Sequence, residues 1–227
     1  MSLFKPMNVT CPACEKLISV NAVGSVNADR RQDLRDEILA NSFQNVTCSE
    51  CGEAFRLEPD FNYLDAGRGQ WIAAMPARLM PQHEEMEAQA QEAFDRSYGP
   101  DTSPSAQSIG NDLQARLVFG WPALREKILI HDAKLDDGLI ELLKIDVLRR
   151  LPEINLVQGV EMRLLDVTDE ELNIAWINAE TEDVDQTIDV RHALYEEIAG
   201  NPDGWASISE RVNKGMFVDA QKLFMGA

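Results

Sequence analysis

The hydrophobic positions of the N-terminal third change from a strand pattern to a helix pattern and back again. Residues 16–26 are rich in β-branched side chains, which predicts a strand. Residues 27–41 carry a narrow apolar stripe at helical spacing, which predicts a helix with Arg35 among the charged side chains on its outer face. The segments 54–59 and 61–76 predict strands, the second of them a hairpin. These elements predict a small α+β module.

The C-terminal half has broader apolar faces. Residues 115–120 predict a strand, and a helix follows from Trp121. Residues 139–151 predict a second helix with an apolar stripe so wide that the helix must be deeply buried. That stripe consists of Ile140, Leu143, Val147 and Leu151. Residues 160–180 predict two strands around an acidic turn, and 206–215 predict a helix that ends at a glycine.

A polar segment separates these two halves. Residues 81–108 begin with a mostly polar helical pattern and then accumulate Gly, Pro, Ser and Asp, which is typical of a linker. We therefore predict a module over 1–80, a linker over 81–108 and an acidic α+β domain over 109–227. The whole chain is expected to be of the α+β class.

Acidic side chains outnumber basic ones, 39 to 21, in this chain of 227 residues, and the net charge is −18. Nucleic-acid binding depends on Lys and Arg that neutralise phosphates, so we expect the summed field of the chain to disfavour DNA and RNA. A basic protein is the partner that such a surface suits. No apolar run approaches the length of a membrane span, and we expect a soluble cytoplasmic protein.

All four cysteines lie in two copies of one phrase. NVTCPAC at 8–14 returns 37 positions later as NVTCSEC at 45–51, with only the two spacer residues changed. A Cys-x-x-Cys turn can aim two sulfurs at one point, and two such turns supply the four thiolates of a closed, structural zinc site. Reduced core cysteines and two disulfides are the alternatives, although disulfides are uncommon in a reducing cytosol. The predicted Zn²⁺ ligands are Cys11, Cys14, Cys48 and Cys51.

The separation of the two cysteine pairs also predicts a fold. The 33 residues between Cys14 and Cys48 exceed the spacing in simple zinc ribbons. The helix predicted within 27–41 must then be an insertion that returns the chain to the first pair. We therefore expect a zinc-ribbon-like module with an inserted helix.

Cys11 and Cys14 also allow a thiol–disulfide oxidoreductase. A redox dithiol needs a lowered thiolate pKa, which a helix N-terminus or a neighbouring cation supplies. A predicted strand follows Cys14 instead, and the second cysteine pair has no role in such an enzyme. The zinc site explains both pairs and is the preferred hypothesis.

Several features accompany the cysteines in a recognisable order. They are CPAC at 11–14, SVN at 25–27, a helix with Leu34 and Ile38, CSECG at 48–52, a strand with Trp71 and Ile72, and the block LREKILIHDAKLDDGLIELLK at 124–144. Together they resemble the CpXC-motif proteins of bacteria, over about two thirds of the chain. The resemblance implies a metal-binding module and no activity that could be transferred. Glu15 stands where many such turns have glycine, which predicts a less regular first turn.

A second candidate site is acidic. His131, Asp132, Asp136 and Asp137 could hold a catalytic metal, which makes a metal-dependent hydrolase a further alternative. Asp136 or Asp137 would more simply cap the helix that follows, and we then expect Glu141 to lie at the surface. The chain has no Gly-rich phosphate loop and no nucleophile elbow.

The sequence as a whole favours binding over catalysis. It predicts a zinc protein with a structural four-cysteine site, joined to an acidic domain and acting through interaction with a partner. The oxidoreductase and the hydrolase stay as the enzymatic alternatives.

Overall fold

The chain divides into two units. The computed structural model describes residues 2–151 and 159–225, and the division lies between Trp121 and Pro122. Both units combine helices with a sheet, which confirms the predicted α+β class. The division lies C-terminal to the expected linker at 81–108, because most of that segment folds as helices of the first unit.

The first unit contains a five-stranded sheet and a separate two-stranded hairpin. In chain order its elements are β1 (Leu3–Thr10), β2 (Leu17–Asn27), α1 (Gln32–Leu39), β3 (Asn45–Thr47), β4 (Ala54–Arg56), β5 (Phe61–Asp65), β6 (Gln70–Met75), α2 (His83–Tyr98), α3 (Pro104–Asn111) and β7 (Gln114–Phe119). The sheet has the order β1-β2-β5-β6-β7, and β3 pairs with β4. The predicted strands over 16–26 and 54–59 and the hairpin over 61–76 are confirmed.

Strand β2 takes part in two pairings of different length. It pairs antiparallel with β1 from Leu17 to Ser25, whereas only Ser25–Asn27 pair with β5, in parallel. The first part of β2 therefore forms a two-stranded ribbon with β1. The turn at the end of this ribbon is the segment 11–16, which contains the first cysteine pair.

Strand β7 completes the sheet of the first unit, although it was expected to open the second domain. It pairs in parallel with β6 from Gln114 to Phe119. Parallel neighbours need a long crossover connection, and helices α2 and α3 provide it. Helix α2 packs on the sheet through the ring of Phe94, whose centroid lies 5.3 Å from that of Trp71 on β6.

Aromatic rings fill the core of the first unit away from the cysteines. Phe43, Phe61 and Trp121 contact one another edge to face, with centroids 5.2 to 5.3 Å apart. The indole N–H of Trp121 donates to the carbonyl of Leu57 at 2.9 Å. Such ring pairs add roughly 0.5–1.5 kcal/mol each beyond the burial of their area. This part of the unit therefore has a core that does not include the cysteines.

The prediction that Arg35 faces solvent is wrong. Its side chain is buried, and its Nε donates to the Tyr63 hydroxyl at 3.1 Å. Nε also lies 3.6 Å from a carboxylate oxygen of the fully buried Asp65, to which the Tyr63 hydroxyl donates. Burial, together with the Asp65 charge, raises the pKa of Tyr63. The pattern of α1 alone could not show this burial, because the compensating charge lies on β5.

The second unit packs helices against a three-stranded antiparallel sheet. Its elements are α4 (Trp121–Asp132), α5 (Asp137–Arg150), β8 (Val160–Val167), β9 (Glu171–Asn178), β10 (Val184–Arg191), α6 (His192–Ala199) and α7 (Pro202–Val212), followed by a 3-10 turn at Ala220–Leu223. The strand order is β10-β9-β8. In residues 2–151 and 159–225, every helix is too short or too polar to cross a membrane.

The broad stripe of α5 forms the centre of this unit, as predicted. Ile140, Leu143 and Val147 are buried in one cluster with Leu172 and Ile174 of β9. The expectation that Glu141 lies at the surface is wrong, because its side chain is fully buried. Helix α5 therefore buries charged side chains as well as its apolar stripe.

Candidate metal centre

Both cysteine pairs lie at the ends of β-hairpins. The first pair connects β1 to β2, whose last antiparallel partners are Thr10 and Leu17. The second connects β3 to β4, whose last partners are Thr47 and Ala54. Each connection is six residues long, and each begins with a cysteine. The duplicated phrase NVTCxxC is therefore a strand followed by a turn in both copies.

The first turn has a regular hydrogen-bond pattern. The backbone N–H of Cys11 donates to the carbonyl of Lys16 at 2.9 Å, and that of Glu15 donates to the carbonyl of Cys11 at 3.0 Å. Glu15 takes the left-handed conformation, with φ at 59°. Its side chain is exposed, so only the backbone meets a constraint.

The second turn repeats this pattern bond for bond. The N–H of Cys48 donates to the carbonyl of Glu53 at 2.7 Å, and that of Gly52 donates to the carbonyl of Cys48 at 2.9 Å. Gly52 has φ at 80°, in the same region as Glu15. The expectation that Glu15 makes the first turn less regular is wrong, because glutamate adopts the strained conformation that glycine takes in the second copy.

The four sulfur atoms converge on one point. The Sγ atoms of Cys11, Cys14, Cys48 and Cys51 all lie within 4.8 Å of one another. The distance from Cys11 to Cys51 is 3.7 Å and that from Cys14 to Cys48 is 3.8 Å. Four sulfurs at the Zn–S distance of about 2.3 Å in a tetrahedron would stand about 3.8 Å apart. The four cysteines are thus positioned to bind a metal ion.

The sequence pattern of this chain is that of a known family. The family model described as CpXC protein matches residues 9–144. The chain belongs to the CpXC family. The match contains both cysteine turns and extends to Lys144 in α5, which confirms the resemblance found in the sequence. Neither a curated protein nor a solved structure matched the chain.

The four cysteines of the CpXC protein differ in their exposure to solvent. Cys11 and Cys48 are buried, Cys14 is half-buried and Cys51 is exposed. Apolar side chains from both hairpins pack around the buried pair, and they are Val9, Ile18, Val20 and Phe55. The buried sulfurs are therefore shielded from solvent, while the outer edge of the cluster is open to it.

The two thiols of the second pair, Cys48 and Cys51, have pKa values shifted in opposite directions. The backbone N–H of Glu50, 3.4 Å from the sulfur of Cys48, lowers the pKa of that thiol to about 7. A hydrogen bond from the backbone of Glu53 favours the Cys51 thiolate, but the sulfurs of Cys14, Cys48 and Cys11, together with desolvation, outweigh it and raise the pKa of Cys51 to about 12. Metal binding requires deprotonated thiols and therefore releases protons.

An ion pair between the two turns was missed by the sequence analysis. The ammonium of Lys16 donates to the carboxylate of Glu50 at 2.9 Å and joins the first turn to the second. This hydrogen bond raises the pKa of Lys16 and lowers that of Glu50. If the two Cys-x-x-Cys turns bind one ion, they must lie side by side. The opposite charges of Lys16 and Glu50 in these turns could then have predicted the ion pair.

The acidic hydrolase cluster does not assemble. Asp136 caps α5 by accepting from the N–H of Leu139 at 2.8 Å, which confirms the capping hypothesis. Asp137 turns inward and lies 2.9 Å from the ammonium of Lys127. Asp132 is exposed and lines a groove of about 480 Å³ whose lining does not include Asp136 or Asp137. Within residues 2–151 and 159–225, the cysteines form the one group of three or more potential metal ligands.

Substitutions at the two left-handed positions, Glu15 and Gly52, test whether the two turns have the same backbone conformation. Glu15→Gly should raise the free energy of unfolding by about 0.5 to 1 kcal/mol, because glycine removes most of the roughly 1–2 kcal/mol cost of this conformation while adding unfolded-state entropy. Gly52→Ala is the matched control and should lower it by a similar amount, since no atom lies within 4 Å of the added Cβ and only backbone strain acts. Denaturant titration of the metal-loaded protein measures both. A loss of stability in Glu15→Gly would contradict the interpretation.

Proposed function

We propose that the CpXC protein is a zinc-binding protein in which Cys11, Cys14, Cys48 and Cys51 hold one structural Zn²⁺. The observation that carries the proposal is the pair of sulfur distances, 3.7 and 3.8 Å, which fit the edges of a tetrahedron around zinc. Four thiolates also select zinc over the hard cations that prefer oxygen ligands. The first unit would then be a zinc-ribbon-like module in which α1 is the insertion between the two turns.

The ligand set supports a structural site over a catalytic one. Catalytic zinc sites keep a position open for water or substrate, whereas four protein ligands fill the tetrahedron. A metal held in this way would cross-link the β1–β2 ribbon to the β3–β4 hairpin. We therefore infer a scaffold whose role is to present a folded surface to a partner.

The oxidoreductase alternative has less support. A redox pair forms its bond within one Cys-x-x-Cys unit, whereas all four sulfurs here lie within 4.8 Å of one another, and the contacts of 3.7 and 3.8 Å join Cys11 to Cys51 and Cys14 to Cys48 across the two units. The thiol with the lowered pKa is Cys48, which lies outside the proposed redox pair. Both features fit one shared ion better than two separate dithiols.

Metal analysis of the purified protein tests the proposal. We expect about one zinc per chain, and we expect cobalt substitution to give the intense visible bands of tetrahedral sulfur coordination. Bound metal should also protect all four thiols from alkylation until a chelator is added. Four freely reactive thiols in protein prepared without chelator, or disulfide reductase activity that survives metal removal, would overturn the structural zinc assignment.

The partner and the location stay predictions. The net charge of −18 supports a basic protein as the partner and disfavours nucleic acid. A cytoplasmic location would keep the four thiols reduced and available to metal.

A further inference from the structure

The second unit buries an unusual number of charged side chains in one place, here named the ion cluster. Its members come from α4, α5, β8 and the C-terminal segment, and each is less than a tenth exposed. They are Glu126, Lys127, Asp137, Glu141, Lys144, Glu161, Arg163 and Asp219. Five of them are carboxylic acids and three are bases. Buried charges are costly unless each is compensated, so this excess of acids needs a physical explanation.

The ion cluster holds the C-terminal segment of residues 216–223, here named the strap. The ammonium of Lys127 donates to the carbonyl of Val218 at 2.7 Å, and the N–H of Ala220 donates to the carboxylate of Glu141 at 2.9 Å. Asp219 is the strap's own member of the cluster, 2.6 Å from the guanidinium of Arg163. Residues 216–219 precede the 3-10 turn and belong to no helix or strand, so polar contacts with the cluster take the place of a ladder.

Arg163 links the strap to a second carboxyl group. One of its terminal nitrogens bonds Asp219 and the other bonds Glu161, so the two acids are fixed on the same guanidinium. The bases of the cluster also serve the other acids. Lys144 lies 2.7 Å from Glu126 and 3.0 Å from Glu141. Arg163 also contacts Glu126 at 3.3 Å, so that Asp219, Glu161 and Glu126 share one guanidinium.

We propose that the strap is closed by a proton on Glu161 and that loss of this proton to solvent releases the strap, which makes the second unit responsive to pH. When Glu161 is neutral, Asp219 and the more distant Glu126 are the anions that contact Arg163. When Glu161 ionises, a third carboxylate competes for the same guanidinium in a dry environment, and like charges at this distance repel strongly. Asp219 is the acid that can leave, because it lies on the strap and not on a strand or helix.

The charges that act most strongly on Glu161 belong to the cluster. They are Arg163 on its own strand, Glu126 on α4 and Asp219 on the strap. Arg163 in turn interacts with Glu141 and Lys144 of α5. Burial raises the pKa of Glu161, and the carboxylates of Asp219 and Glu126 oppose the lowering effect of Arg163. For Asp219, burial is the largest influence and acts in the same upward direction, but Arg163, Lys144, Lys127 and the backbone N–H of Gln221 together outweigh it and lower the pKa.

These directions set the sign of the pH response. The closed form keeps the Glu161 proton at pH values where an exposed glutamate has lost it. Closure is therefore strongest below the ordinary glutamate pKa and weakens as pH rises through the raised pKa of Glu161, about tenfold per pH unit while the proton is being lost. The lowered pKa of Asp219 acts only in strong acid, where its protonation would break the bond to Arg163.

Hydrogen exchange of the strap in the full-length, metal-loaded protein tests the proposal. Deuterium uptake by peptides covering residues 216–223 is followed from pH 5 to pH 9 and corrected for the intrinsic pH dependence of exchange. We expect protection of the strap to fall as the pH rises, by up to about tenfold per pH unit while Glu161 loses its proton, and protection of β9 to stay constant. Constant strap protection in the wild type would overturn the proposal and requires no variant.

Substitutions identify the proton. Glu161→Gln mimics the neutral acid and should keep the strap protected at the alkaline end of the range. Glu196→Gln, at an exposed position of α6, is the matched control and should behave as the wild type does. If Glu161→Gln loses strap protection in parallel with the wild type as pH rises, Glu161 is not the group that holds the strap closed.

Discussion

Replacing Cys51 with serine is expected to release the metal and to unfold the part of the first unit around the cysteines, residues 9–20 and 45–56, here named the cysteine lobe. Cys51 is exposed, so the substitution removes little packing, and an ordinary surface change would alter stability by only about 0.5 kcal/mol. If Cys51 is the fourth ligand of the proposed zinc site, its loss should weaken metal binding by more than the roughly 100-fold that loss of an outer-shell partner costs. The lobe should then lose about 4 kcal/mol or more, the size of effect that loss of a structural metal produces.

The position of the unfolding is as informative as its size. We expect hydrogen-exchange protection to disappear at 9–20 and 45–56, which carry the apolar residues around the sulfurs. Protection should persist in β5 and β6, because the contacts among Phe43, Phe61 and Trp121 do not involve the cysteines. Zinc content by mass spectrometry completes the measurement.

The matched control for this substitution is Ser49→Ala, which changes an exposed spacer in the same turn and should leave both metal and protection intact. If Cys51→Ser retains a full complement of zinc, the four-ligand site is refuted. An oxidoreductase that used Cys11 and Cys14 predicts that Cys51→Ser changes neither stability nor hydrogen-exchange protection, so this variant separates the two hypotheses.

Replacing Lys144 with methionine is expected to destabilise the second unit by about 3 to 5 kcal/mol, the usual cost of removing one partner from a buried ion pair. Its ammonium is buried between the carboxylates of Glu126, at 2.7 Å, and Glu141, at 3.0 Å. Methionine fills similar volume, so the loss is electrostatic: five buried acids would face two bases. Urea unfolding of the full chain, followed by exchange in β9, measures the effect.

A surface ion pair on the same helix provides the control. Arg150 lies 2.6 Å from Asp146, but its side chain is 57% exposed. Arg150→Met should therefore change stability by less than about 1 kcal/mol. Adding Glu141→Gln to Lys144→Met should recover part of the loss, since it removes one unpaired acid. Equal effects of Lys144→Met and Arg150→Met would mean that the ion cluster contributes no more than surface charges do.

The sequence by itself determined the local structure and the identity of the candidate site. The β-branched segments, the hairpin over 61–76 and the wide stripe of α5 all specify elements through neighbouring residues, and the structure contains each of them. The four cysteines could be assigned to one cluster because the duplicated phrase fixes the same strand and turn twice. Backbone geometry within seven residues is a local property, so a copy of the phrase yields a copy of the turn.

The tertiary structure alone decided which charges are buried and where the chain divides. Arg35 and Glu141 are charged residues of the kind usually found on the solvent face of a helix, yet both are buried. Asp65 compensates the charge of Arg35, and Lys144 with Lys127 compensate that of Glu141. Only one of these three compensating residues lies on the same helix as the residue that it neutralises. Strand β7 likewise belongs to the first unit through parallel pairing with β6, across a helical connection that looked like a linker. Desolvation of a charge and strand pairing both depend on partners distant in sequence, and a local pattern carries no information about them.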